Sequence, residues 1–399
     1  MNARDHMNAR DREMLGAAAR GEPLALARAL VATPSVNPVL SPGGHGEAAI
    51  AELAAGWLEA WGYETRVEEV APGRHNVVAH LGDQGRTLLL NGHLDTVGVE
   101  GMTVPPFDAL VADGRLLGRG SCDMKGGVAA ALAAAAALAR HRPASGRVIV
   151  ALTADEEHAS LGMQAVVGAG VRADAAVVCE PTDLAVMPAH KGFVWLDLLF
   201  LGRAAHGSRP DEGIDAVRHG ALFVASLDAL ARELAAEAPH PLLGHGTFHV
   251  GTIHGGTAPS VYPAECRLSL ERRILPGEGI AAATEPFRRA LGTLSRAEPD
   301  LKAELTVGLS RPGTEVAPDS ALVVGLLNAL ERQGMDRRME GMTAWVDAAF
   351  LNEAGTPAVC FGPGSIAEAH SADEWCDVGQ IETCARVLED FARSFLAGE

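Results

Sequence analysis

The sequence has no apolar run of the roughly 18 residues that a membrane-spanning helix needs. Its longest apolar stretch, residues 128–139, is mostly alanine and too short to cross a bilayer. It is also short of positive charge: 33 basic residues stand against 51 acidic ones, a formal net charge of −18. Such a chain is a poor match for nucleic acid or an anionic membrane surface, so neither is expected as a partner. Paired cysteines are missing too. The six cysteines, Cys122, Cys179, Cys266, Cys360, Cys376 and Cys384, are scattered without a Cys-x-x-Cys spacing. In a chain this long they read as reduced thiols, and a cytoplasmic location is expected. The start, MNARDHMNARDREML, is charged and lacks the apolar segment of a secretory signal. Its duplicated MNARD reads as an alternative start or a cloning scar and carries no information on the fold.

With 399 residues the chain exceeds the roughly 250–300 at which one hydrophobic core stops growing, so two domains are expected. Residues 13–31 have helix-like apolar spacing. Short apolar runs occur after them at 75–81, 87–90, 148–152, 175–178 and 358–361. They are rich in Val and Leu without strict alternation, as in strands covered on both faces. Between them lie helical stretches, clearest in GGVAAALAAAAALAR at 126–140. The pattern predicts an α/β fold with a mostly parallel sheet and helices on both faces. Residues 190–308 read differently: WLDLLFLG, FHVGTIHGG, ECRLSLERRI and LKAELTVG suggest strands, and residues 216–238 and 283–294 suggest helices. They are expected to form an α+β unit inserted into the larger one, which would comprise 13–189 and 309–399.

The residues with chemical potential sit just past the apolar runs. TLLLNG leads into His93 and Asp95, VIVALTA into Asp155, Glu156 and Glu157, AAVVC into Glu180, and AVCFGPG into a segment carrying His370. Asp123 precedes the alanine-rich helix. Ligands of open α/β sheets collect beyond the carboxyl ends of the strands, and here those ends carry imidazole and carboxylate. Taken singly, each signal has an ordinary reading: a loop histidine, a solvated acidic turn, a plain Glu-Pro-Thr turn. Taken together they predict a centre for two divalent ions, with zinc expected and cobalt or manganese as alternatives. The ligands would be His93, Asp123, Glu157, Glu180 and His370, with Asp123 bridging. A water shared by the ions would be the nucleophile. Glu156 is the expected general base, and Asp95 would accept the second ring N–H of His93. The Gly-rich stretch 118–127 lacks both the Gly-Lys-Ser/Thr ending and the GxGxxG spacing, so it does not predict nucleotide binding.

GHLDTV at 92–97, GRGSCDMKGG at 118–127, the Asp-Glu-Glu after a strand and EPT at 180–182 resemble the M20 family of dinuclear zinc metallopeptidases. Within it they are most similar to the acetylornithine deacetylase and succinyl-diaminopimelate desuccinylase branch. The resemblance runs from about residue 34 to the C-terminus and implies the same ligands, base and orienting Asp95. It also implies that the inserted unit is a lid and dimerisation domain, and that the protein is a homodimer. HKGFVWLDLLFLGRAAHGSRP then implies His206 as a group reaching the partner subunit's site to stabilise an oxyanion. ERRILPGE implies Arg273 as the holder of the substrate carboxylate, leaving Arg272 as a solvated neighbour. The turn at 362–364 would offer backbone N–H groups, Gly364 included, to the same carboxylate. GGTAPSVYP departs from the family by placing Ser260 where Asn is common, which changes how the substrate is held.

The expected activity is hydrolysis of the amide bond of an N-acyl amino acid. A carboxypeptidase or dipeptidase is the alternative within the class. The alternative outside it is a non-catalytic binder of metal or ligand.

Overall fold

The structure, a computed structural model, describes residues 9–398, with side chains from residue 13. Most of the duplicated start therefore lies outside the described residues. The chain forms two compact units. The first comprises Met1–Pro188, Val316–Glu340 and Val346–Glu399; the second comprises Ala189–Glu315 and Gly341–Trp345.

In the first unit the strands Glu64–Ala71, Arg74–Leu81, Arg147–Thr153, Thr87–His93, Ala175–Val178 and Ala358–Cys360 lie side by side in that order. The last four are mutually parallel; Arg74–Leu81 pairs antiparallel with the first of them, and Glu64–Ala71 pairs antiparallel with Arg74–Leu81. The parallel centre is the part read from the unbroken Val/Leu runs, and these strands are almost wholly buried. Because they are parallel, their carboxyl ends share one edge.

Helix Gly126–Arg140 is buried from Gly126 through Leu138 and packs on strand Thr87–His93 beside helix Val378–Ala397. Alanine and glycine let it approach closely. A Cβ added at Gly127 would lie 1.9 Å from the backbone oxygen of Cys179. The helix-like spacing at 13–31 falls in two helices, Ala9–Ala19 and Pro23–Val31. Gly21, at φ 80°, turns the chain between them, and Pro23 opens the second, where its missing N–H costs nothing.

The second unit is an antiparallel sheet in the order Thr247–Gly255, Glu265–Ile274, Gly192–Leu201, Lys302–Arg311. Helices Ala216–Ala236 and Ile280–Ala297 pack on it. Val194, Leu196, Leu198 and Phe200 alternate into its core against Phe223 and Phe287. The unit extends beyond the expected end at 308. Strand Lys302–Arg311 continues through a bulge between Val307 and Ser310 until Arg311 pairs with Phe193.

Replacing Gly127 with Ala should destabilise the protein by about 1–3 kcal/mol, because the helix must retreat from the Cys179 carbonyl. A lower urea midpoint at unchanged m-value would register it, and an unchanged midpoint would contradict the close packing.

Candidate metal centre

Three of the predicted ligands sit just past the ends of the parallel strands. His93 closes strand Thr87–His93, Glu157 lies four residues beyond Thr153, and Glu180 lies two beyond Val178. Asp123 arrives from the segment Ser121–Lys125, where Asp123 and Met124 leave helical geometry just before the alanine-rich helix, and the peptide bond between them is cis. His370 comes from the loop after Ala358–Cys360 and holds a left-handed φ of 60°.

Asp123 is the hub of the cluster. Its Oδ1 is 2.9 Å from His93 Nε2, and its Oδ2 is 3.4 Å from His370 Nε2. His370 Nε2 also lies 3.1 Å from Glu157 Oε2. Ligand atoms of His93, Asp123 and Glu157 all fall within 4.8 Å of one another, a spacing suited to a cation. Each oxygen of Asp123 thus faces a different imidazole. Glu180 is 3% exposed, and its Oε1 is buried with no hydrogen-bond partner among the described residues.

The electrostatics match this crowding. Burial, followed by the charge of Asp123, pushes the Glu180 carboxyl up to about 8. Burial and then the Glu180 charge raise Glu156 well above its usual value. Glu157 is likewise raised by burial, against its bond to His370. Burial alone would push the His93 imidazole down, but the bonded Asp123 carboxylate, with Glu156 and Glu180 nearby, holds it well above its ordinary range. His370 is pushed up to about 10 by its bonds to Asp123 and Glu157. Asp123, opposed by burial, is held low by the two imidazoles. In the metal-free chain the imidazoles thus favour the ionised form of Asp123, while burial favours the protonated forms of Glu156, Glu157 and Glu180. The donors are oxygen and imidazole nitrogen, one buried oxygen is unpartnered, and the local negative charge calls for cations: the residues fit divalent metal.

Several expectations need correction. The ring Nδ1 of His93 meets the backbone carbonyl of Asp95 at 2.9 Å, whereas the nearest carboxylate oxygen is 3.7 Å away. The Asp95 carboxylate has another task. It accepts the backbone N–H groups of Glu156 at 3.0 Å and Glu157 at 3.2 Å, and it takes a bond from Asn37. Asp95 therefore orients His93 through its main chain, and its side chain sets the acidic turn. Gly364 offers no N–H to a substrate, because that N–H donates to Gln380 Oε1 at 2.8 Å. The N–H of Gly362 is taken by Thr182 Oγ1, and Pro363 has none. Arg272 is not a solvated neighbour. Strand alternation turns it inward, 3% exposed, onto Glu278 at 2.7 Å.

His206, Ser260 and Arg273 lie in the second unit. His206 is exposed, with Nδ1 2.8 Å from Ser208 Oγ. Ser260 is exposed and accepts the Gly207 N–H through its backbone oxygen, which brings it beside His206. Arg273 is partly exposed and donates through Nε to Glu271 at 2.6 Å.

Sequence reasoning missed the support beneath the cluster. Arg74 is buried and bonds Glu47, and its Nη1 is 2.7 Å from Asp155 Oδ1. Asn37 ties Asp155 to Asp95. Glu374 accepts the N–H groups of Cys122 and Asp123 and pairs with Arg119 at 2.6 Å, fixing the Asp123 segment. Asp347, 1% exposed, is raised to about 7 by burial, and its charge is felt by Glu156 and Glu180. No motif in the sequence marks Arg74, Asp347 or Glu374.

The family model of Peptidase family M20/M25/M40 matches residues 89–394. The chain belongs to this family. Membership in Peptidase family M20/M25/M40 makes it a metal-dependent hydrolase. An acetylornithine deacetylase of Myxococcus xanthus is 32% identical over 359 residues, 87% of this chain and 92% of the relative. A tripeptidase structure from Staphylococcus aureus superposes with a TM-score of 0.80 at 21% identity, covering 95% of this chain and 99% of that one. A dinuclear metal-binding M20 peptidase from Bacillus subtilis superposes with a TM-score of 0.72 at 18% identity, covering 95% and 99%. At these identities the two structures bear on fold alone.

The raised groups predict a pH dependence. Glu180 rises from 4.5 to about 8, Asp347 from 3.8 to about 7 and His370 from 6.5 to about 10. Over these windows the three groups hold more protons in the folded chain than in the unfolded one, so their contribution to metal-free stability falls as pH rises. His190, pushed down from 6.5 to about 4, and Lys125, pushed down from 10.5 to about 7, oppose them and are outnumbered between about pH 5.5 and 8. Asp123 acts oppositely, but only below its ordinary value of 3.8. The chelator-treated protein should therefore melt lower at about pH 8 than at about pH 5.5, and added Co2+ or Mn2+ should raise Tm more at the higher pH, where fewer protons compete for the ligands. A metal-induced shift that is larger at low pH would contradict the assigned ligands.

Proposed function

We propose that the protein is an N-acyl amino acid amidohydrolase of acetylornithine deacetylase type. Its two metal ions, zinc by expectation, would be held by His93, Asp123, Glu157, Glu180 and His370. The observation that supports this most is Asp123, whose two oxygens face two different imidazoles. The relatives named acetylornithine deacetylase favour a deacylase over a peptidase.

Bound cations would polarise the scissile carbonyl and make a water acidic enough to lose a proton near neutral pH. The remaining steps belong to side chains. Glu156 is half-buried, and its carboxyl feels the charges of Glu180, His93 and Glu157. It takes the proton from the attacking water and gives it to the leaving nitrogen. The Asp95 carboxylate holds the backbone of Glu156 and so aims it. Arg273 holds the substrate carboxylate through its guanidinium edge, and His206 stabilises the oxyanion in the partner subunit of a homodimer. Six free, buried thiols support a cytoplasmic setting.

Metal-loaded protein should release amine from N-acetyl amino acids. Glu156→Ala should lower that turnover by at least about 100-fold while elemental analysis still finds about two ions per chain. No turnover of either acyl amino acids or dipeptides by the wild type would favour the non-catalytic binder. Loss of metal from the variant would exchange the roles of Glu156 and Glu157. Mixing inactive His206→Ala and Glu156→Ala subunits should recover activity. Verified heterodimers that stay inactive would remove His206 from the partner's site.

A further inference from the structure

The sheet of the first unit has a second face, turned away from the alanine-rich helix. Val148, Val150 and Leu152 enter the core with that helix, so Arg147 and Ile149 stand on the other face. His80 pairs directly with Ile149 and so shares its face, and Val78 stands two residues before it. Helix Leu161–Gly168 packs on these strands, and Val171 and Arg172 follow its end. Val78, His80, Arg147, Ile149, Val171 and Arg172 line a groove of about 280 Å³. The groove is remote from the metal centre. Arg147 opens its strand beside Thr87, whereas Thr153 closes it beside His93. About 20 Å of strand separates the two ends.

The charge here runs against the rest of the molecule. In a chain of net charge −18, the groove carries two guanidiniums and an imidazole but no acid. Arg147 is half-buried, and its Nε is buried with no hydrogen-bond partner among the described residues. Among those residues no carboxylate pairs with Arg147 or Arg172. Arg172 donates through Nη1 to the carbonyls of Val167 at 3.0 Å and Val171 at 2.7 Å, which pins it to the helix end and leaves Nε and Nη2 open. His80 turns its Nε2 outward to Glu64, at 3.1 Å. A buried N–H without an acceptor is costly, so Arg147 calls for an anion that the described residues do not supply. The helix sets limits on that anion. Its carbonyl end, the negative pole of the helix dipole, meets the groove. The N–H groups of Ala169, Gly170 and Val171 already bond carbonyls of the helix. A phosphate dianion finds no backbone donors there, in contrast to a helix N-terminus. A carboxylate carries a single charge and fits a guanidinium edge with two parallel bonds. Val78, Ile149 and Val171 add an apolar wall beside it.

We propose that this groove is a binding site for a small aliphatic monocarboxylate. The carboxylate sits on Arg147 and Arg172, and the carbon chain lies against Val78, Ile149 and Val171. The site is separate from the metal centre and does not depend on the reading of the protein as an amidohydrolase.

The test is hydrogen–deuterium exchange of the metal-loaded, full-length protein, with sodium isovalerate as the probe and isovaleramide as its neutral match. Isovalerate should slow exchange in the segment 168–173, and isovaleramide at the same concentration should not. Arg147→Gln should raise the isovalerate concentration needed for half of that protection at least about tenfold, the size expected for loss of a charge-assisted pair. Arg147→Lys, which keeps the charge but loses the fork, should retain part of the protection. Both variants should keep the wild-type rise in Tm on adding metal, because residue 147 lies far from the ligands. Inorganic phosphate at about pH 8 should protect the segment less than isovalerate does. Protection confined to the segments that carry the metal ligands, equal protection by the amide, or a half-point unchanged in Arg147→Gln would overturn the proposal. Stronger protection by phosphate than by isovalerate would overturn it as well.

Discussion

The first unit is organised around one electrostatic problem: several carboxylates buried at the same edge of a parallel sheet. Asp123, Glu156, Glu157 and Glu180 cannot all be ionised there without compensating positive charge. His93 and His370 supply part of it in the metal-free chain by holding protons above their ordinary range. Divalent cations would supply it more strongly. The ligand geometry, the direction of the raised acids and the expected fall of metal-free stability with pH all arise from this constraint.

The crowding persists because a second layer holds it in place. Asp95 binds two consecutive backbone N–H groups and thereby fixes the main chain that carries Glu156 and Glu157. Arg74 balances Glu47 and Asp155 beneath that turn, and Glu374 fixes the Asp123 segment from the other side. Asp155 adopts φ 67°, an unfavourable region for a residue with a Cβ. Its bonds to Arg74 and Asn37 hold it there. A buried network of this kind is costly when incomplete, so most of its members act on the chemistry only by keeping others in position.

Much of the centre could be read from the chain because strand ends are easy to find. Unbroken Val/Leu runs mark buried parallel strands, and the polar residues just after them must lie at one edge of the sheet. His93, Glu157 and Glu180 were identified that way. What failed was detail that depends on which atom of a residue is nearer. Asp95 orients His93 with its carbonyl, and the N–H of Gly364 is spent on Gln380; residue type and spacing carry no information about either. Arg272 and Arg273 are adjacent and chemically alike, and strand alternation alone decides which is buried.

The amino-acid sequence by itself determined the α/β class, the inserted unit and the residues with metal-binding chemistry. Those depend on local periodicity and on side-chain type. The tertiary structure alone decided that Asp123 stands between two imidazoles and that Arg74 lies beneath the acidic turn. It alone decided that His80, Arg147 and Arg172 line one groove. Each of these joins residues far apart along the chain, and only the pairing register and packing of the folded strands bring them together.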